Sequence, residues 1–101
     1  MTFSLAITPN ELCIVKDILA RILPPGYQTF VFGSRATGIH LKPWSDLDLV
    51  ICGPEPLSFS VSGQLREAFD ESLLPWKVDI VDRAAVSETF GRIVDETKVP
   101  F

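Results

Sequence analysis

Two aspartates occupy alternate positions within an otherwise apolar segment of the chain. Asp46 and Asp48 belong to the sequence "SDLDLVICG", which is rich in apolar residues. Because successive side chains of a strand point to opposite faces of its sheet, both carboxylates are expected on one face, and Leu47, Leu49 and Ile51 on the other. The segment therefore predicts a strand with one acidic face and one apolar face.

A third aspartate lies in a second segment with the same alternation. In "WKVDIVD", Asp79 stands between Val78 and Ile80, so it is expected on the face opposite to those two apolar side chains. If this segment forms the strand next to that of Asp46 and Asp48, the three carboxylates converge on one patch. Two carboxylates about 5 Å apart repel each other by about 3 kcal/mol at an effective dielectric constant of about 20. The carboxylates are therefore protonated, spread into solvent or bound to a hard divalent cation, and oxygen ligands suit Mg²⁺ or Mn²⁺.

A glycine–serine turn supplies the second half of the chemistry. Gly33 and Ser34 directly follow the apolar run "QTFVF", and Arg35 comes next. Glycine lets the backbone approach a ligand closely, and the amides after Ser34 would open a helical turn whose positive end favours anions. A phosphate cradle beside a carboxylate metal site indicates metal-assisted phosphoryl or nucleotidyl transfer.

Each of these features also has a simpler interpretation. The aspartates could line the wet face of a sheet that is covered on one side only. Gly33 and Ser34 could form an ordinary strand-to-helix turn with a serine cap. Arg35 is either a phosphate ligand or a surface residue.

Other residues near these motifs are not assigned to the chemistry. Asp82 is expected at a strand end or a turn. His40, a lone histidine in a loop, is interpreted as exposed and idle. Trp44 could stack on a base or contact a partner, whereas Trp76 is expected to pack in the core.

The segments that must position these residues read as α-β-β-α-β-α. The first helix is predicted over 8–23, where Thr8 and Glu11 form a capping box and Pro9 suits the first helical position. Strands are predicted over 28–33, 45–53 and 76–82, and further helices over 60–74 and 87–98, with one helical turn after Ser34. This order favours an α/β fold in which a small mixed three-stranded sheet carries helices on one face.

The last two predicted helices are amphipathic, and the tail is apolar. Their apolar faces are predicted to be Leu65, Ala68, Phe69 and Leu73 in one helix, and Phe90, Ile93 and Val94 in the other. The tail "VPF" could dock on this domain or on a partner.

Composition and charge exclude several classes of protein. With 101 residues, the chain is expected to form one domain over residues 1–101. Its content of 47% hydrophobic and 22% charged residues is typical of a soluble globular protein. The net charge of −4 disfavours binding along a nucleic-acid backbone. No apolar run approaches the ~20 residues that span a bilayer, so no membrane partner is expected.

The N-terminal segment and the cysteines favour a cytoplasmic protein. The segment "MTFSLAITPNE" lacks a basic region followed by a long apolar run, so no secretory signal peptide is expected. Cys13 and Cys52 have no metal-ligand spacing and are interpreted as small buried hydrophobic residues, with a disulfide as the less favoured alternative.

The combination of "GSRATG", "SDLDL" and "VDIVD" resembles the minimal nucleotidyltransferases of the DNA polymerase β superfamily. The resemblance implies a polymerase-β-like fold in which Asp46 and Asp48 bind two Mg²⁺ ions, or Mn²⁺, and Asp79 completes the catalytic site. It also implies that Gly33 and Ser34 hold the triphosphate of ATP. The spacer between Ser34 and Asp46 holds eleven residues, one more than the commonest family pattern, and is expected to lengthen a surface loop.

The same resemblance implies a protein partner. Short members of this family often pair with an all-helical HEPN-domain protein as a toxin–antitoxin couple, in which the nucleotidyltransferase is the antitoxin and transfers AMP from ATP to a tyrosine of the ribonuclease toxin. The size of the chain favours a partner independently, because about 100 residues leave little material for an acceptor-binding surface. Two alternatives stay open: an antitoxin that only occludes its toxin, and a transferase acting on a small-molecule hydroxyl.

Overall fold

The structure is a computed structural model that describes residues 7–38, 42 and 45–100, and within them the chain forms four helices and four strands. In chain order they are α1 (Pro9–Ile22), β1 (Gln28–Phe32), α2 (Ser34–Thr37), β2 (Leu47–Cys52), α3 (Phe59–Asp70), β3 (Val78–Asp82), α4 (Glu88–Thr97) and β4 (Val99–Pro100). The α/β class predicted from the sequence is confirmed.

The sheet is mixed and has the strand order β3-β2-β1-β4. β1 runs antiparallel to β2 and β4, while β2 and β3 are parallel. The sequence predicts three strands, and the fourth is part of the apolar tail, in which Val99 and Pro100 pair with Val31 and Phe30. A strand of two residues is too short to show an alternation pattern, so only its pairing with β1 identifies it.

The first face of the sheet is covered by α1 and α3. Leu47, Leu49 and Ile51 of β2 point to this face and are completely buried. They pack with buried side chains of the two helices, namely Val15, Ile18, Leu19, Leu65 and Phe69. The apolar stripe of each helix thus closes over the apolar half of β2, as the alternation of the sequence predicts.

The second face is covered by α4, whose Val94 packs against Phe32 and Val50. The predicted placement of helices on one face therefore holds for α1 and α3 and is wrong for α4. The physical reason is that Phe32 and Val50 leave a small apolar patch on this face, which needs a cover of its own. Of the predicted apolar face of α4, only Val94 is buried, whereas Ile93 is 54% exposed.

The ends of the helices follow local signals. The Thr8 amide donates to the Glu11 carboxylate at 2.9 Å and the Glu11 amide donates to the Thr8 hydroxyl at 3.2 Å, which confirms the capping box. α3 ends at Asp70, so Leu73 lies beyond the helix and is exposed rather than part of its apolar face. Cys13 is also exposed, which makes its predicted burial wrong, and Cys52 is partly buried; both are free thiols.

Candidate active site

Asp48 and Asp79 are brought together by the register of β2 and β3. The two residues are direct partners across this parallel pair, and Asp48 faces Phe32 across the antiparallel pair with β1. Neighbouring strands lie about 4.8 Å apart, so both carboxylates project from the second face at adjacent positions. Asp46 directly precedes β2 and is exposed, as is Asp79, while Asp48 is partly buried.

The acidic patch, defined as Asp46, Asp48 and Asp79, is electrostatically coupled. Burial raises the pKa of Asp48 from its ordinary value of 3.8 to about 6, and the neighbouring charges of Asp79 and then Asp46 add to the effect. Each cause disfavours the ionised form. A cation bound at this patch would therefore find carboxylates whose mutual repulsion it relieves.

The carboxylates of the acidic patch are ligands that suit a hard divalent cation, although they are not arranged as a complete metal-binding site. Within residues 7–38, 42 and 45–100, no group of three or more His, Cys, Asp or Glu side chains is arranged so that it could hold a metal ion. The pair Asp48 and Asp79 nevertheless offers oxygen ligands only, which is the chemistry that Mg²⁺ and Mn²⁺ prefer. The residues fit such a cation by ligand type and by charge.

Gly33 touches the acidic patch directly. It follows β1 with φ of +76°, and a Cβ atom built on it would collide with the carboxylate of Asp48. A side chain at this position would meet both a strained backbone and an occupied space. The sequence therefore needs glycine here so that the turn can lie against the carboxylate.

Ser34 begins α2, the helical turn predicted from the sequence. The amides of Ala36 and Thr37 donate to the Gly33 carbonyl at 3.1 and 3.0 Å, and the Gly38 amide closes the helix on the Ser34 carbonyl at 2.7 Å. Because Ser34 directly follows Gly33, which lies against Asp48, the turn places Ser34 next to the acidic patch.

Arg35 points into the protein. Its side chain is only 7% exposed, its Nε donates to the Ser45 carbonyl at 3.0 Å, and its guanidinium carbon lies 4.5 Å from the centre of the Trp76 ring. Trp76 itself is buried in the core under the first face, which confirms its predicted packing role. Arg35 is therefore not a surface residue.

Two open cavities flank the acidic patch. One of about 620 Å³ is lined by Asp46, Trp76 and Lys77, among others, and a second of about 410 Å³ by Arg66, Lys77 and Asp79, among others. Lys77 borders both and is not among the site residues that the sequence predicts. The signal was available, because Lys77 stands two positions before Asp79 and strand alternation places both on one face.

The remaining candidates separate into two groups. The Asp82 carboxylate accepts hydrogen bonds from the amides of Leu57 at 2.7 Å and Ala84 at 3.1 Å, which confirms its assignment to a strand end and turn. His40 and Trp44 lie outside the described residues, so their predicted roles stay predictions. In the described part of the chain, no helix is long and apolar enough to cross a membrane.

The fold and this site define a class of enzyme. A family model described as the nucleotidyltransferase domain matches residues 12–100, and the chain belongs to this family and is a nucleotidyltransferase.

Particular relatives sharpen the comparison. The chain is 47% identical over 95 residues to a Haemophilus influenzae protein named "Probable protein adenylyltransferase MntA". The alignment covers 94% of this chain and 82% of the relative. A solved minimal nucleotidyltransferase superposes with a TM-score of 0.65 at 31% identity, covering 86% of this chain and 85% of that one. A crystal structure of a toxin–antitoxin with AMP-PNP superposes with a TM-score of 0.72 at 20% identity, covering 87% of this chain and 69% of that one, and shows a shared fold.

Proposed function

We propose that this protein transfers AMP from ATP to a tyrosine hydroxyl of a HEPN-domain ribonuclease toxin and so acts as its antitoxin. The observation that carries the proposal is the register that sets Asp48 beside Asp79, with Gly33 against the Asp48 carboxylate. The protein adenylyltransferase name of the 47% identical relative supports the reaction. The toxin–antitoxin with AMP-PNP supports both the nucleotide and the kind of partner.

Asp46, Asp48 and Asp79 would hold two divalent cations, Mg²⁺ or alternatively Mn²⁺. Such ions, when bound, activate the acceptor oxygen and neutralise the negative charge of the leaving group. The chain contributes the partly buried carboxylate of Asp48, with its raised pKa, and two exposed carboxylates that an incoming substrate can reach.

The turn at the end of β1 would hold the triphosphate of ATP. Gly33 provides close backbone approach, and Ser34 provides a hydroxyl at the start of α2. Because Gly33 lies against Asp48, a triphosphate held there would be adjacent to the acidic patch. The cavity bordered by Asp46, Trp76 and Lys77 offers space beside it for the rest of the substrate.

The reaction is an in-line displacement at phosphorus. The acceptor oxygen forms a bond to the α-phosphorus, the bond between that phosphorus and the bridging oxygen breaks, and pyrophosphate leaves with the bond's electron pair. Asp79 is exposed at the acidic patch and would take the proton of the acceptor hydroxyl. Base assistance of this kind typically contributes 10²–10⁴-fold to a rate.

A labelling experiment tests the proposal. The protein is mixed with a candidate HEPN-domain toxin, Mg²⁺ and α-labelled ATP, and label on that toxin is measured. We expect transfer by the wild type, loss of at least about 10³-fold in the double variant Asp46→Asn/Asp48→Asn, and full transfer by Asp17→Asn, which removes an exposed carboxylate of α1. Ser34→Ala is expected to weaken ATP binding in the same mixture.

The outcomes separate the mechanisms. Label that appears on the partner only when the aspartates are present supports transfer. If the double variant neutralises the toxin as well as the wild type does, inhibition works by occlusion and the enzymatic proposal is wrong. Label that appears only on an added small-molecule alcohol would replace the protein acceptor by a small one.

A further inference from the structure

A buried cation lies between the two chain segments that carry the acidic patch. The Arg35 guanidinium stacks on the Trp76 ring with 4.5 Å between its central carbon and the ring centre. Its Nε donates a hydrogen bond of 3.0 Å to the carbonyl of Ser45. At 7% exposure, this charge is stable only because such contacts replace water.

The partners of Arg35 stand at the starts of two strands. Ser45 directly precedes Asp46 and lies two residues before β2. Trp76 lies two residues before β3, and the adjacent Lys77 carbonyl accepts a hydrogen bond of 2.8 Å from the Leu47 amide. Arg35 thus connects the start of β2 to the start of β3 on the side of the sheet opposite to Asp48 and Asp79.

Arg35 also belongs to the turn that touches the acidic patch. It is the second residue of α2, two positions after Gly33, whose backbone lies against the Asp48 carboxylate. One side chain therefore links the turn to which it belongs with the start of β2 and the start of β3. Asp46 lies outside β2 and lacks the ladder that fixes Asp48, while its neighbour Ser45 is held by Arg35 and by hydrogen bonds with Lys42.

We propose that Arg35 is a positioning residue that acts through Ser45 and Trp76 to fix Asp46 relative to Asp79, and thereby sets the affinity of the acidic patch for divalent cations. This inference rests on the proposed function, since it takes the patch to be the cation site. It differs from the phosphate contact that the sequence suggests for Arg35, because a positioning role depends on Trp76 and a phosphate contact does not.

The experiment measures Mn²⁺ binding to the unliganded protein by electron paramagnetic resonance, so that the readout is independent of turnover. Arg35→Lys keeps the positive charge but loses the planar guanidinium and its Nε donor. Trp76→Leu removes the ring, and Trp76→Phe keeps an aromatic face. Arg92→Lys, in an exposed ion pair on α4, and Phe59→Leu, an exposed ring, are the matched controls.

We expect Arg35→Lys and Trp76→Leu each to weaken Mn²⁺ binding by about 10–100-fold, as is usual for residues that orient metal ligands. Because both single variants lose the stack between Arg35 and Trp76, the affinity loss of the double variant should be smaller than the product of the two single losses. Trp76→Phe should recover most of the affinity, and the two controls should match the wild type. ATP affinity measured without divalent ions should be unchanged in Arg35→Lys and in the two controls.

Other results overturn the inference. If Arg35→Lys weakens metal-free ATP binding while Trp76→Phe and Trp76→Leu leave Mn²⁺ binding unchanged, Arg35 contacts phosphate instead. If the wild type binds no Mn²⁺ either alone or with ATP present, the proposed function fails together with this inference, whereas wild-type binding with unaffected variants refutes only the positioning role. Near-ultraviolet circular dichroism checks that each variant is folded. If Trp76→Leu does not fold, the single variants Arg35→Lys and Trp76→Phe are compared instead.

Discussion

The two faces of the sheet are built from the same strands but have different roles. On the first face, α1 and α3 seal Leu47, Leu49 and Ile51 completely from water. On the second face, α4 covers only a small apolar patch, and Asp48 and Asp79 share that face. The comparison teaches that strand alternation lets a domain of 101 residues separate the side chains that hold it together from those that bind charge.

This separation has an energetic consequence for β2. The apolar face contributes stability through burial, at roughly 25 cal/mol per Å² of apolar surface. The acidic face opposes it, because Asp48 is held where its ionised form is disfavoured. The first face must therefore be well packed if the second is to carry these carboxylates, and truncation of Leu49 and neutralisation of Asp48 should change stability in opposite directions.

The largest expected effect on stability is on the first face. Leu49→Ala removes a completely buried side chain and should lower the free energy of unfolding by about 2–5 kcal/mol, since the cavity adds to the lost burial. Urea unfolding followed by circular dichroism measures it. Ile93→Ala on exposed α4 is the control, with an expected change within about 0.5 kcal/mol. Equal losses at both positions would contradict the division between the faces.

A smaller effect of opposite sign is expected on the second face. Asp48→Asn should raise the free energy of unfolding by roughly 1–3 kcal/mol at pH 8, where the upper value is the full pKa shift and solvent screening reduces it. Because the folded-state pKa is raised, the destabilisation by Asp48 begins above its ordinary pKa of 3.8 and is complete above about 6. The gain should therefore vanish near pH 3.

Divalent cations sharpen the same measurement. With Mg²⁺ and ATP present, the wild type should gain stability by ligand binding and Asp48→Asn should not. The difference between their free energies of unfolding should therefore narrow or change sign. Chelation of the metal should restore the original difference. Glu96→Gln, which removes an exposed carboxylate of α4, is the control and should follow the wild type throughout. A variant that is less stable than the wild type at pH 8 without metal would contradict this account of the acidic patch.

The smallest expected effect concerns how α4 is held on the second face. Hydrogen bonds from Arg83 and then Lys98 lower the pKa of Asp95 to about 2, with Arg83 donating through Nε at 3.2 Å and Nη2 at 3.0 Å. A lowered pKa means that this contribution is present above pH 4 and is lost as the pH falls toward 2. Asp95→Asn should lower the melting temperature slightly at neutral pH and low salt.

Ionic strength tests that last assignment. The group is exposed to solvent, so 1 M NaCl should largely abolish the difference between Asp95→Asn and the wild type. Arg92→Met, which removes the exposed pair with Glu88, serves as the control for a general salt effect. A difference that persists at high salt would mean that Asp95 stabilises α4 by packing and not by charge.

Local patterns were enough to predict the elements that carry the site. The alternation around Asp48 and Asp79 gave two strands with the correct buried faces, and the Thr8–Glu11 pair gave the start of α1, because strand periodicity and helix capping are decided by neighbouring residues. The motifs also carried the resemblance to nucleotidyltransferases, and the family is confirmed.

Tertiary structure decided what depends on residues far apart in sequence. The pairing of the tail as β4, the position of α4 on the second face and the burial of Arg35 against Trp76 all join segments that no local pattern links. The sequence predicted which side chains hold a cation and a phosphate. Packing decided how those side chains are held, because each exposed strand edge and each apolar patch is covered by a segment that can reach it.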